Sequence, residues 1–120
     1  MKILIVDDEP EITEMLCKYM SLKNNECTIK NTGKEGLEAL KNDSFDAMIL
    51  DLAMPEMNGY QVLDELKKQD KVESSNILVL TALNLGYEEE DKLESYGVKK
   101  ILRKPIVMQD LYSKIEEITK

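Results

Sequence analysis

Short apolar runs recur along the chain, and between them apolar residues return every three or four positions. Ile3 to Val6, Cys27 to Lys30, Ala47 to Leu50, Ile77 to Leu80 and Val98 to Leu102 read as five strands. The intervals read as helices. Ile12, Met15, Leu16, Tyr19 and Met20 recur at helical spacing in the first, and Met108, Leu111, Tyr112, Ile115 and Ile118 in the last. Three more are expected around Lys34 to Asn42, Tyr60 to Gln69 and Tyr87 to Ser95. The Tyr87 stretch has the weakest periodicity, but its Glu88-Glu89-Glu90-Asp91 run suits the positive end of a helix dipole.

A repeating strand–helix pattern implies a parallel sheet with right-handed crossovers and helices on both faces. Strands one, three and four are wholly apolar, as expected of strands covered on both faces, whereas strands two and five carry polar residues suited to sheet edges. Order 2-1-3-4-5 places those two outside. The expectation is therefore an α/β, flavodoxin-like doubly wound sheet of five strands with five helices in three layers, spanning residues 1–120 as one domain. Such a sheet carries its ligand crevice at the carboxyl ends of the strands, where strands one and three diverge.

Composition narrows the setting. At 120 residues, 42% hydrophobic and 33% charged, the chain has the balance of a soluble globular protein, and no apolar run approaches the ~20 residues that span a bilayer. The apolar start is cut off by Asp7-Asp8-Glu9-Pro10, where a signal peptide would continue, so a cytoplasmic protein without a membrane partner is expected. A net charge of −8 with scattered basic residues disfavours direct binding of nucleic acid. Cys17 and Cys27 stand in a chain without histidine, so neither zinc nor a disulfide framework is indicated, and free thiols are expected.

The crevice rule names positions before chemistry is considered. Strand one runs into Asp7-Asp8-Glu9, strand three into Asp51, strand four into Thr81-Ala82, and strand five into Lys104-Pro105. Clustered carboxylates repel one another unless a cation neutralises them. Mg²⁺ suits the set, since it takes oxygen ligands and typically binds one or two carboxylates together with phosphate oxygens. A carboxylate can also attack phosphorus to form an acyl phosphate, with the transferred charge offset by a metal and an ammonium group. Asp51, Mg²⁺ and Lys104 would fill those roles, and the Thr81 hydroxyl could bond a phosphate oxygen. Each residue alone has a plainer reading: helix-terminal carboxylates favour the dipole, and a lone Thr or Lys-Pro is more often packing or a turn.

Taken together, Ile-Leu-Ile-Val-Asp7-Asp8-Glu9-Pro10, Leu50-Asp51-Leu52-Ala53-Met54-Pro55-Glu56-Met57-Asn58-Gly59, Leu80-Thr81-Ala82 and Lys104-Pro105 resemble the response-regulator receiver family of two-component phosphorelay signalling over essentially the whole chain. The resemblance implies Asp51 as phospho-acceptor, with Asp8, Asp51 and the Ala53 backbone carbonyl on Mg²⁺ and Asp7 acting mainly through water. It implies Thr81, followed by Ala82, as a switch hydroxyl, Lys104 as its phosphate-pairing partner, and a cis bond before Pro105. Gly59 would permit a positive φ in the turn after Asn58. The partners implied are a histidine kinase or histidine phosphotransfer protein and a downstream protein or output domain. Two positions depart from the family pattern: Ile101 stands where an aromatic switch residue is usual, and Ile106 where a Phe usually follows Lys-Pro. The readout is then expected to be smaller, or to use Leu85 and Tyr87. Ala53 and Leu83 cannot orient a hydrolytic water by hydrogen bonding, which predicts slow self-dephosphorylation.

Three other readings are open. A phosphatase using an aspartyl phosphate would usually want Asp-x-Asp after strand one, where this chain has Asp7-Asp8. A flavin module would need a phosphate-cradling loop that Asp7-Asp8-Glu9 opposes. A binding domain that is never phosphorylated would keep the fold while losing site residues, and here no principal one is missing.

Overall fold

In the computed structural model, which describes residues 1–120, the apolar runs form β1 (Lys2–Val6), β2 (Glu26–Lys30), β3 (Ala47–Leu50), β4 (Ile77–Thr81) and β5 (Lys100–Arg103). They pair in parallel in the order β2-β1-β3-β4-β5, as strand composition predicts. Helices α1 (Pro10–Leu22), α2 (Gly33–Asn42), α3 (Gly59–Lys68), α4 (Tyr87–Tyr96) and α5 (Met108–Ile118) occupy the intervals.

Alternation along the central strands divides the core in two. Leu4, Val6, Met48, Leu50, Ile77 and Val79 face one side and pack with Val62, Leu63, Leu66 and Leu93 from α3 and α4. Ile3, Ile5, Ala47, Ile49, Leu78 and Leu80 face the other and meet Leu16, Met20, Leu111 and Ile115 from α1 and α5. Side chains on successive strand residues point to opposite faces, so a run apolar at every position must be covered twice. The edge strands β2 and β5 contain no fully buried residue. This leaves the carboxyl ends of β1, β3 and β4 held by a rigid, doubly covered centre.

Several details differ from the sequence reading. Strand β5 begins two residues later than expected because Gly97, at φ 108°, ends α4 in the left-handed region, and the Val98 amide still bonds the Leu93 carbonyl. Thr81 is the last residue of β4 rather than the first beyond it. A single 3-10 turn at Glu73–Ser75 precedes β4, too short to leave a mark in the hydrophobic pattern. The weakly periodic α4 does form, with the Glu89 carboxylate accepting from the Gly86 amide at its start.

Two corrections concern single residues. Gly59 does not adopt a positive φ; in this turn it is Glu56, at φ 65°, that does. Gly59 is instead required by space, because a Cβ there would lie 2.4 Å from the Asp51 carbonyl oxygen and 2.7 Å from Leu52 Cα. Cys17 and Cys27 are not free: α1 lies over the start of β2, bringing their Cα atoms to 5.5 Å, and the sulfurs are joined as a disulfide. Their spacing in sequence carries no sign of this, since the pairing depends on how the helix packs.

Candidate functional site

The strands deliver their terminal residues to one rim. The Asp7 amide donates to the Lys30 carbonyl and the Asp51 amide to the Val6 carbonyl, which continue the ladder one step beyond the strands. Asn31, following β2, donates through Nδ2 to the Asp7 carbonyl at 2.9 Å. The Lys104 amide donates to the Thr81 carbonyl at 2.8 Å, fixing the segment beyond β5 against the end of β4. The Lys104–Pro105 peptide bond is cis.

Around this frame the charged groups converge. Carboxylate oxygens of Asp7, Asp8, Glu9 and Asp51 lie within 4.8 Å of one another. Lys104 Nζ donates to Asp7 Oδ2 at 2.9 Å and to Glu9 Oε1 at 3.0 Å, and stands 3.8 Å from Asp51 Oδ2. Asp7 and Asp51 are both buried, Asp8 is half-buried, and Glu9 is exposed. The Ala53 amide donates to Asp51 Oδ1 at 3.3 Å, with the Ala53 side chain exposed at the rim. The Thr81 hydroxyl is buried and accepts from the Leu83 amide at 3.1 Å. Ala82 is exposed beside it, while Ile101 lies half-buried lower on the sheet, packed against the cluster that contains Val79 and Leu93.

The electrostatics follow from burial and crowding. Loss of hydration, then the neighbouring Asp7 charge, pushes the Asp51 carboxyl up to about 6, against the opposing pull of Lys104. Burial raises Asp7 as well, although its bonds from Lys104 and the Glu9 amide partly offset this. Burial works against the Lys104 ammonium, but its bonds to Asp7 and Glu9 outweigh that and hold it above its ordinary value. One ammonium therefore faces several carboxylates, and the rim keeps excess negative charge.

Every residue that sequence reasoning places at the rim lies there, whereas Ile101 and Gly59 sit below it. Gly59 shapes the floor beneath Asp51. One residue of the rim escapes the sequence, and another is named there without its contact to Lys104. Glu9 reads as a helix-terminal carboxylate, although its position directly after Asp7-Asp8 is a usable signal. Asn31 gives none, because only the adjacency of β2 and β1 brings it to Asp7.

Known relatives share the family and the fold. The family model for the response regulator receiver domain matches residues 3–116. The chain is 33% identical over 117 residues to the transcriptional regulatory protein CpxR homolog of Haemophilus influenzae, covering 98% of this chain and 49% of that one. It is 33% identical over 118 residues to the response regulator SaeR of Staphylococcus aureus, covering 97% and 49%. It thus spans about half the length of these curated relatives. Among solved structures, a CheY-like response regulator receiver domain protein from Methanospirillum hungatei superposes with a TM-score of 0.89 at 26% identity, covering 98% of this chain and 92% of that one. The response regulator protein TrrA of Thermotoga maritima, solved in complex with Mg²⁺-BeF, superposes with a TM-score of 0.83 at 29% identity, covering 98% and 97%. With its sheet order, its acidic rim and a family match over nearly its whole length, the chain belongs to the receiver domains of two-component response regulators.

Proposed function

We propose that Asp51 is the phospho-acceptor, taking a phosphoryl group from the phosphohistidine of a histidine kinase or histidine phosphotransfer protein. The observation that carries this reading is the buried Asp51 carboxylate, 3.8 Å from the Lys104 ammonium and within 4.8 Å of three further carboxylates. One oxygen of Asp51 forms the bond to phosphorus as the donor's P–N bond breaks, and that electron pair leaves with the imidazole nitrogen. Because Asp51 titrates near 6, it is mostly ionised, and so nucleophilic, at neutral pH.

The residues fit Mg²⁺. The donor set is wholly oxygen and carries more negative charge than Lys104 can neutralise. Asp7 has one oxygen on the Glu9 amide and the other on Lys104, which suits contact through water. Asp8, Asp51 and the Ala53 carbonyl are the groups we assign to direct contact. Bound there, Mg²⁺ would offset charge on the transferred phosphoryl oxygens. Lys104 would pair with those oxygens as well, and the Thr81 hydroxyl would donate to them.

In this reading the domain signals rather than turning over a substrate, and the phosphorylated state controls an output domain or a separate protein. It binds neither nucleic acid nor membrane directly, and no helix is long and apolar enough to cross a bilayer. We place it in the cytoplasm, where cellular thiols would tend to reduce the Cys17–Cys27 bridge. Incubation with acetyl phosphate and Mg²⁺ should yield a singly phosphorylated species by intact mass, absent in Asp51→Ala and absent with chelator. A binding-only domain would stay unmodified, and label that persists in Asp51→Ala would overturn the assignment.

A further inference from the structure

Lys104 is held by two acceptors that differ in kind. The Asp7 side chain is 2% exposed and the Glu9 side chain 55%, yet Nζ donates to both at nearly equal distance. Asp51 lies just outside hydrogen-bond reach. Glu9 occupies the residue before α1, but its side chain caps no helical amide. Its backbone is fixed instead. The Glu9 amide donates to Asp7 Oδ1 at 3.0 Å, and its carbonyl accepts from the Ile12 and Thr13 amides, both at 3.1 Å. From that anchor the side chain reaches over to Lys104.

We propose that Glu9 is a positioning residue that restrains the Lys104 ammonium in the unphosphorylated protein and competes for it with the incoming phosphoryl oxygens. The inference rests on the phospho-acceptor reading of Asp51. An ammonium has three protons to donate, and Asp7 can keep one throughout. Its bond is buried and charge-assisted, so it is the stronger of the two. The Glu9 pair is half solvated and screened, so it yields first. Exchanging Glu9 for a phosphoryl oxygen keeps two acceptors on the ammonium at each stage, but the unphosphorylated state holds a contact that must be given up. Glu9 thereby sets how readily the site fills.

Beryllofluoride with Mg²⁺ is the probe, titrated against wild type, Glu9→Gln and Glu9→Asp and followed by the backbone amides of Ala53 and Leu83. Glutamine offers only a neutral amide oxygen to the ammonium. Aspartate keeps the charge but falls one methylene short of Lys104. Both variants should bind the probe about two- to fivefold more tightly than wild type, as expected when a weak exposed ion pair is removed. In the unliganded protein, the ¹⁵N signal of Lys104 Nζ should move in Glu9→Gln.

Probe affinity of Glu9→Gln within twofold of wild type, or an unmoved Nζ signal, overturns the proposal. Tightening in Glu9→Gln but not in Glu9→Asp would assign the effect to rim charge rather than to the contact, and also overturns it. So does a Glu9→Gln protein that loses affinity for Mg²⁺ and probe together, which would make Glu9 a metal-side group. A wild type that ignores beryllofluoride brings down the phospho-acceptor reading itself, a result distinct from these four.

Discussion

Asp51 sits in surroundings that oppose its own charge. Its carboxyl is raised from 3.8 to about 6, first by burial and then by Asp7. In the unfolded chain it ionises near 4, so between about pH 4 and 6 the folded state binds the extra proton. The metal-free protein is therefore relatively favoured below pH 4, and loses that advantage as pH rises through 6. At neutral pH the ionised carboxylate costs up to about 3 kcal/mol, since a tenfold change in proton affinity corresponds to about 1.4 kcal/mol. Asp51→Asn should stabilise the metal-free protein at pH 7.5 by about 1–3 kcal/mol in urea unfolding with chelator present, and the gain should shrink toward pH 4.5. A gain independent of pH would mean that packing, not charge, is responsible. The neighbours of Asp51 predict lifetime. Ala53 and Leu83 are both exposed and turn their amides toward the site, to Asp51 Oδ1 and Thr81 Oγ1, while their side chains offer nothing to a water molecule. Ala53→Asn should therefore speed loss of the phosphoryl group by roughly the 10²-fold lower bound for a positioned polar group, or less if water already has access. Decay of the phosphorylated species by intact mass would check this, and equal rates would remove side-chain water orientation as the cause.

At the scale of the element, the turn between β3 and α3 and the clasp between α1 and β2 carry the informative strain and restraint. Gly59 opens α3 with the Asp51 carbonyl and Leu52 directly beneath it. Replacement by alanine gains up to about 1 kcal/mol of helix propensity. A Cβ only 2.4 Å from a backbone oxygen costs more, about 1–3 kcal/mol for overpacking. Gly59→Ala should therefore be less stable, and because the displaced carbonyl belongs to Asp51 it should also phosphorylate more slowly; a stabilised variant would show that the turn relaxes freely. Cys17 and Cys27 close a loop over a sequence separation of 10, for which loop entropy gives about 3 kcal/mol. Dithiothreitol should lower unfolding stability by up to that amount in wild type and leave Cys17→Ser unchanged. These elements also show what patterning could and could not convey. The polar residues of β2 and β5 announced edges, and the apolar β1, β3 and β4 a centre, so the strand order was legible. The cysteine pair and the steric demand at Gly59 were not, because both arise where two elements touch and neither element records the other's approach.

Across the whole molecule, strand order converts scattered residues into one site, and this is why Asp7, Asp8, Asp51, Thr81 and Lys104 could be grouped before any coordinates. The Glu9 contact escaped because it depends on a side-chain choice between solvent, a helix terminus and Lys104. The route outward from the site depends on the packing around β4 and α4. Thr81 Oγ1 now accepts from the Leu83 amide, and Lys104 is tied by its own amide to the Thr81 carbonyl. If the hydroxyl shifts toward a phosphoryl group, the Leu83 amide loses its acceptor, and the segment from Leu83 to Gly86 is freed at its first residue. That segment carries Leu85, half-buried against the same cluster that Ile101 packs on, and α4 begins at Tyr87, which is 88% exposed. Ile101 has no hydroxyl to draw inward and no ring to swing, and its packing against the core cluster need not change. Beryllofluoride should accordingly speed amide exchange from Leu83 through Glu88 by several-fold while β5 from Lys100 to Arg103 stays protected. Thr81→Ala, which removes the acceptor in advance, should show fast exchange there with or without the probe. Protection changes centred on β5 and α5, with the Leu83 to Glu88 amides silent, would show that the signal leaves the site through Lys104 instead.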